Sequence, residues 1–235
     1  MAAAYDRHAV PLTERFWQVL VPPAARTLVW LGICLVGASL ATACAVRSPV
    51  ETPVVGAPGR TFPASAPPQL PGGYGPGLYV VGRDIQPGTY RTRTVQPADP
   101  CYWARLRGFA GTDTDVIVNR VVFGPAVVTI SPSEQGFETD SCGLWTTDLS
   151  RLSTSTTSVS NGTWIVGVDI EPGRYQPVGP RFDVAPFNCY WARLGGFSGL
   201  EGLDEGRPEG ATVVTILPTD RGFESGWCGT WQPAP

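Results

Sequence analysis

Three sequence blocks occur twice in the same order, and this duplication restricts the fold more than any other feature of the chain. GLYVVGRDIQPGTYRT begins at Gly77 and returns as GTWIVGVDIEPGRYQP from Gly162. CYWARLRGF from Cys101 returns as CYWARLGGF from Cys189, and AVVTISPSEQGFETDSCGLW from Ala126 returns as TVVTILPTDRGFESGWCGTW from Thr212. The offsets are 85, 88 and 86 residues, so the chain holds two copies of one folding unit of about 70 residues. The units span residues 77–148 and 162–235, joined by the Ser/Thr-rich connector 149–161.

Each unit has the local chemistry of short strands. Tyr79, Val80 and Val81, matched by Trp164, Ile165 and Val166, are aromatic and β-branched residues that suit a pleated, half-buried surface. Gln86-Pro87-Gly88-Thr89 and Glu171-Pro172-Gly173-Arg174 place proline and glycine at the centre of a type II turn, so a hairpin returning through Thr89–Thr92 is expected. CYWARL and VVTI are short and rich in the same residue types, and no window repeats with the 3.6-residue period of a helix. The expectation is an all-β protein: two tandem small disulfide-closed domains, each a β-sandwich or barrel, after an N-terminal membrane segment and a Pro/Gly-rich linker.

Four of the six cysteines occupy matching places, Cys101 and Cys142 in the first unit and Cys189 and Cys228 in the second. Four thiols allow three connectivities, and the duplication selects Cys101 with Cys142 and Cys189 with Cys228. Each bridge closes a loop of about 40 residues, worth roughly 3 to 4 kcal/mol through lost freedom of the unfolded chain, a large share for so small a unit. A four-cysteine metal site is disfavoured, because no CxxC spacing occurs and no histidine is near. No metal or cofactor is expected.

Disulfides require an oxidising compartment, and the N-terminus supplies the route to one. Residues 27–46, TLVWLGICLVGASLATACAV, approach the ~20 apolar residues that span a bilayer and follow a leader, residues 1–26, containing Arg7, Arg15 and Arg26. Basic residues on the leading side keep that side in the cytoplasm, so the chain beyond Cys44 is expected outside the cell membrane. Ala41-Thr42-Ala43-Cys44 resembles a bacterial lipobox, in which cleavage leaves Cys44 to carry a diacylglycerol. It departs from the usual pattern in having Ala41 three places before the cysteine, with Leu40 one further back. The same residues satisfy the small-x-small rule of ordinary signal cleavage, and the run is long enough to remain an uncleaved anchor. Residues 47–76, dominated by proline, glycine, alanine and valine, read as a disordered linker reaching on the order of 90 Å.

Absences narrow the chemistry. All 17 basic residues are arginine, and the one histidine, His8, precedes the membrane segment. The outer units therefore lack an imidazole for general-base work and a lysine for Schiff-base chemistry. A net charge of −3 excludes the basic field that nucleic-acid binding needs. Paired carboxylates could still serve a glycan hydrolase, and the recurring acids are Asp84 with Glu138 and Asp169 with Glu224. The repeated Arg105 and Arg193 share a strand face with Trp103 and Trp191, where an arginine stacks on the ring and pairs with a carboxylate. Arg105, Arg193, Asp84, Asp169, Glu138 and Glu224 are accordingly read as structural ion-pair residues, and no catalytic residue is assigned.

Tyr102, Trp103 and Trp145 match Tyr190, Trp191 and Trp231. In domains with few leucines such residues are expected to fill the core rather than form sugar-stacking platforms. The copies diverge most after Phe109 and after Phe197, and these segments read as recognition loops. Asp113, Asp115, Glu201, Asp204 and Glu205 lie there without the spacing of an EF-hand, so they read as solvated charge.

Taken together, VGxDIxPGxY, CYWARLxGF and GFExxxCGxW resemble a group of secreted proteins and lipoproteins from actinobacteria that carry this unit singly or in tandem. The resemblance covers both outer units and is specific in block order and cysteine placement. It implies an extracytoplasmic domain, with no family active site to carry over. The expected function is that of a non-enzymatic, membrane-anchored cell-envelope protein presenting two β-domains to wall carbohydrate, a peptide or an envelope protein. The alternatives are a structural or sensory ectodomain on an uncleaved anchor and a carboxylate-dependent glycan hydrolase.

Overall fold

The strands on either side of Pro87 belong to different sheets, so the expected hairpin does not form. In the computed structural model, which describes residue 67 and residues 70–93, 100–179, 183–184 and 187–235, the first unit contributes seven strands. They are β1 (Gly77–Val80), β2 (Gly88–Thr92), β3 (Pro100–Leu106), β4 (Val116–Phe123), β5 (Val127–Ile130), β6 (Gly136–Asp140) and β7 (Trp145–Thr146). One antiparallel sheet has the order β1-β6-β3-β4 and the other β5-β2-β7. The chain changes sheet through a tight turn in which the Asp84 carboxylate accepts the Val80 N–H at 2.9 Å while the Val80 carbonyl accepts the Asp84 N–H at 2.8 Å. Gly82 takes the left-handed conformation there, φ 84°, at little steric cost for a residue without Cβ. This turn precedes Pro87, leaving the Pro-Gly pair to start β2 rather than close a hairpin.

The second unit repeats the plan with β8 (Gly162–Ile165), β9 (Gly173–Val178), β10 (Asp183–Val184), β11 (Phe187–Asn188), β12 (Tyr190–Leu194), β13 (Gly202–Gly206), β14 (Val214–Ile216), β15 (Gly222–Gly226) and β16 (Thr230–Pro233). Its sheets are β13-β12-β15-β8 and β14-β9-β16, with β10 and β11 as an added two-stranded ribbon. Asp169 closes the matching turn, accepting the Ile165 N–H at 2.9 Å. The described chain is all-β, as its sequence pattern requires.

The two cores are built alike. Trp145 and Trp231 are fully buried and meet Phe137 and Phe223 edge to face at 5.5 and 5.1 Å. Their indole N–H groups donate to Thr139 Oγ1 at 2.8 Å and Ser225 Oγ at 2.7 Å, so neither large ring leaves a buried donor unsatisfied. Burying one such ring removes ~200 Å² from water, a gross gain of about 5 kcal/mol. Disulfides join Cys101 to Cys142 and Cys189 to Cys228.

Both units extend further toward the N-terminus than the repeated blocks. Tyr74 exchanges backbone hydrogen bonds with Trp145 and packs against the rings of Tyr79 and Tyr90, so the end of the expected linker belongs to the first domain. Val159, within the expected connector, pairs with Trp231 in the same way and is buried in the second core. The leader 1–26, the apolar segment 27–46 with Cys44, and the start of the linker lie outside the described residues. Among the described residues no helix is long and apolar enough to cross a membrane.

Candidate functional site

The repeated arginines take acids that the sequence reading did not select. Arg105 pairs with Glu134, and Arg193 forms a two-pronged pair with Asp220 at 2.7 and 2.9 Å. Register excludes the expected partners. Glu138 stands opposite Ala104 and Glu224 opposite Ala192, whereas Arg105 and Arg193 stand opposite Phe137 and Phe223. Alternation along a strand then puts both glutamates on the other face of the sheet. Glu134 and Asp220 come instead from the turns entering β6 and β15. Their signal in the sequence is the matching acid of SPSEQGF and LPTDRGF. Burial pushes the Asp220 carboxyl up, but hydrogen bonds from Arg193 and the Leu217 N–H outweigh it and hold the group below its ordinary value.

Asp84 and Asp169 share the sheet-crossing turn yet take different cations. Asp84 pairs with its neighbour Arg83 at 2.7 Å. Val168 replaces that arginine in the second unit, and Asp169 binds Arg91 of the first unit at 2.9 Å, with both side chains buried. The other end of the Arg91 guanidinium donates to the carbonyls of Leu149 and Ser150, which draws the connector into the junction.

Around this pair the two units make a head-to-tail contact. The backbone turn Phe197–Gly199 of the second unit fills the seam between β4 and β5 of the first. Phe197 O accepts the Thr129 N–H at 2.8 Å, Ser198 O accepts from Arg105, and Gly199 O accepts from Arg120. Gly199 has φ 78°, and a methyl group there would come within 2.8 Å of Trp103 and 3.2 Å of Val118. Trp227 adds a ring contact to Phe123 at 4.2 Å. The surfaces used by the two units are not equivalent, so the contact is heterologous.

The segments expected as recognition loops contain the edge strands β4 and β13, with turns before them. Asp113 and Asp115 lie in a 3-10 turn, the Glu201 carboxylate accepts the Ser198 N–H at 3.0 Å, and Asp204 and Glu205 lie on exposed β13. Trp103 is buried, but its counterpart Trp191 is only partly so, because among the described residues no turn covers the second seam. On the opposite face of that sheet, Glu205 and Glu224 flank Ala192 from either side. Burial pushes the Glu224 carboxyl above the usual carboxylate range, against the pull of Arg120 and a 3.1 Å hydrogen bond from Thr163. Burial, with Glu224 and Glu205, also pushes the nearby Tyr190 phenol up to about 12.

The profile of the Rv1352-like extracellular domain matches residues 71–146 and 156–232, one copy on each unit. The uncharacterized proteins Rv1352 of Mycobacterium tuberculosis (strain ATCC 25618 / H37Rv) and Mb1387 of Mycobacterium bovis are each 30% identical over 82 residues, covering 30% of this chain and 67% of the relative. No solved structure matches the chain. With two matched copies of the domain spanning most of its length, the chain belongs to the family of Rv1352-like extracellular domains.

Proposed function

We propose that the chain is a non-catalytic binding protein of the cell envelope, held at the membrane by residues 27–46 or by a lipid on Cys44. The observation that carries this reading is the use of its charged groups for folding. The arginine of each CYWARL strand is spent on a buried carboxylate, each VGxDI aspartate closes a turn, and neither histidine nor lysine occurs beyond His8. Such a scaffold offers surfaces rather than acid–base machinery. Its ligand is a wall carbohydrate, a peptide or an envelope protein. Binding of the full chain in detergent to a glycan array and to isolated envelope tests this; absence of saturable binding to both would reject it.

A glycan hydrolase has one specific point in its favour, the raised Glu224 carboxyl across Ala192 from Glu205. That reading requires glycan cleavage that disappears in Glu224→Gln. Mass spectrometry of the mature N-terminus separates the two tethers: a lipidated Cys44 terminus excludes a cytoplasmic leader and with it the sensory alternative.

A further inference from the structure

The seam filled in the first unit recurs in the second, uncovered among the described residues. Arg193 repeats Arg105 and Trp191 repeats Trp103. Thr215 pairs with Arg174 in the register by which Thr129 pairs with Thr89, so its N–H has the outward aim that Thr129 uses to bind Phe197 O. Among the described residues no polypeptide turn is seated there. The Arg193 Nη1 that corresponds to the Ser198-binding nitrogen of Arg105 instead looks toward Asp204 at 3.8 Å.

Two further observations mark this seam. Of the five large hydrophobic residues exposed among the described residues, all but Leu70 lie on or beside β13 and β14, the strands that border it: Leu200, Leu203, Val213 and Leu217. Exposed apolar groups gathered within a polar rim mark interaction surfaces. The rim is acidic: Asp204 stands where the first unit has Val118, opposite the arginine, and Glu205 follows it.

We propose that the seam between β13 and β14 binds a turn of a partner polypeptide, of the form aromatic-small-glycine with an adjoining basic residue. Arg193 and the Thr215 N–H take two successive carbonyls, as Arg105 and Thr129 do in the first unit, and Asp204 takes the base. This assignment rests on the binding reading above and places its site. A second copy of the chain is the less complementary occupant. Its turn Phe109–Gly111 has the matching glycine conformation, φ 77°, but it runs into Asp113 and Asp115, which would face Asp204 and Glu205.

The test is titration of the full chain in detergent with a labelled peptide, acetyl-Arg-Gly-Phe-Ser-Gly-Arg-amide, followed by anisotropy and tryptophan fluorescence. Saturable binding is expected, about tenfold weaker with glutamate for arginine in the peptide. Arg193→Gln should weaken it about tenfold. Because Arg193 also supports Asp220, Thr215→Pro is the second variant: it removes one outward N–H on an edge strand, where proline is tolerated, and should weaken binding similarly with unfolding temperature retained. No saturable binding, or full binding by a stably folded Thr215→Pro, overturns the proposal, and envelope or glycan binding by the same chain would leave the broader reading standing. Self-association abolished by Thr215→Pro would give the seam to a second copy and likewise overturn it.

Discussion

Arg91 of the first unit and Asp169 of the second form an ion pair at 2.9 Å with both side chains withdrawn from water. Removing one member leaves the other charge buried without its partner, the costly case for an interior ion pair. Arg91→Met should lower stability by about 3 kcal/mol and open the connector near Ser150, whose carbonyl Arg91 holds. Denaturant unfolding and limited proteolysis measure both effects; a change below about 1 kcal/mol would show that the pair does not secure the junction.

Gly199 tests the same junction by sterics. A side chain at φ 78° is strained, and its Cβ would press on Trp103 and Val118. Gly199→Val should cost about 1 to 3 kcal/mol, loosening the seam while both disulfides still form. Amide exchange at Thr129, whose N–H the turn accepts, should accelerate; unchanged protection would contradict the assigned contact.

Asp220 predicts an acid-sensitive second unit. Its folded pKa lies below the ordinary 3.8, so the unfolded chain takes up its proton first as pH falls. The stabilisation is complete above the unfolded value and disappears as pH drops through the folded one. Asp220→Asn should remove part of that dependence and destabilise the unit at pH 7 by about 3 kcal/mol, since Arg193 then loses its buried anion. Unfolding curves from pH 7 to pH 2 that superimpose for the two proteins would refute this.

Glu224 has the opposite sign. Its folded pKa is raised above 4.5, so the folded chain holds the proton longer, and this group's contribution to stability falls as pH rises from the unfolded value through the folded one. Glu224→Gln keeps an acceptor for Thr163 and removes a half-buried charge. It should therefore be neutral or stabilising at pH 7 and should flatten stability across the mildly acidic range. Unfolding of the domain by this substitution would mean the carboxylate is structurally required.

Several features follow from local sequence because their causes are local. Duplication located both units, short runs rich in aromatic and β-branched residues marked β3, β5, β12 and β14, and equivalence of position paired Cys101 with Cys142 and Cys189 with Cys228. Pro87 does not mark the sheet-crossing turn, because the Asp84 carboxylate, bonding back to Val80, turns the chain before proline is reached. β4 and β13 went unrecognised because their sequences, VIVNRVVF and GLDEG, no longer resemble one another.

Tertiary structure alone decided what the charges do. Which glutamate meets Arg105 depends on strand register, since a shift of one residue moves a side chain to the opposite face. Which arginine meets Asp169 depends on how one unit docks on the other, and no pattern within a single repeat encodes that. The sequence determined two like domains; the heterologous contact between them made one seam an internal joint and, among the described residues, left the other open.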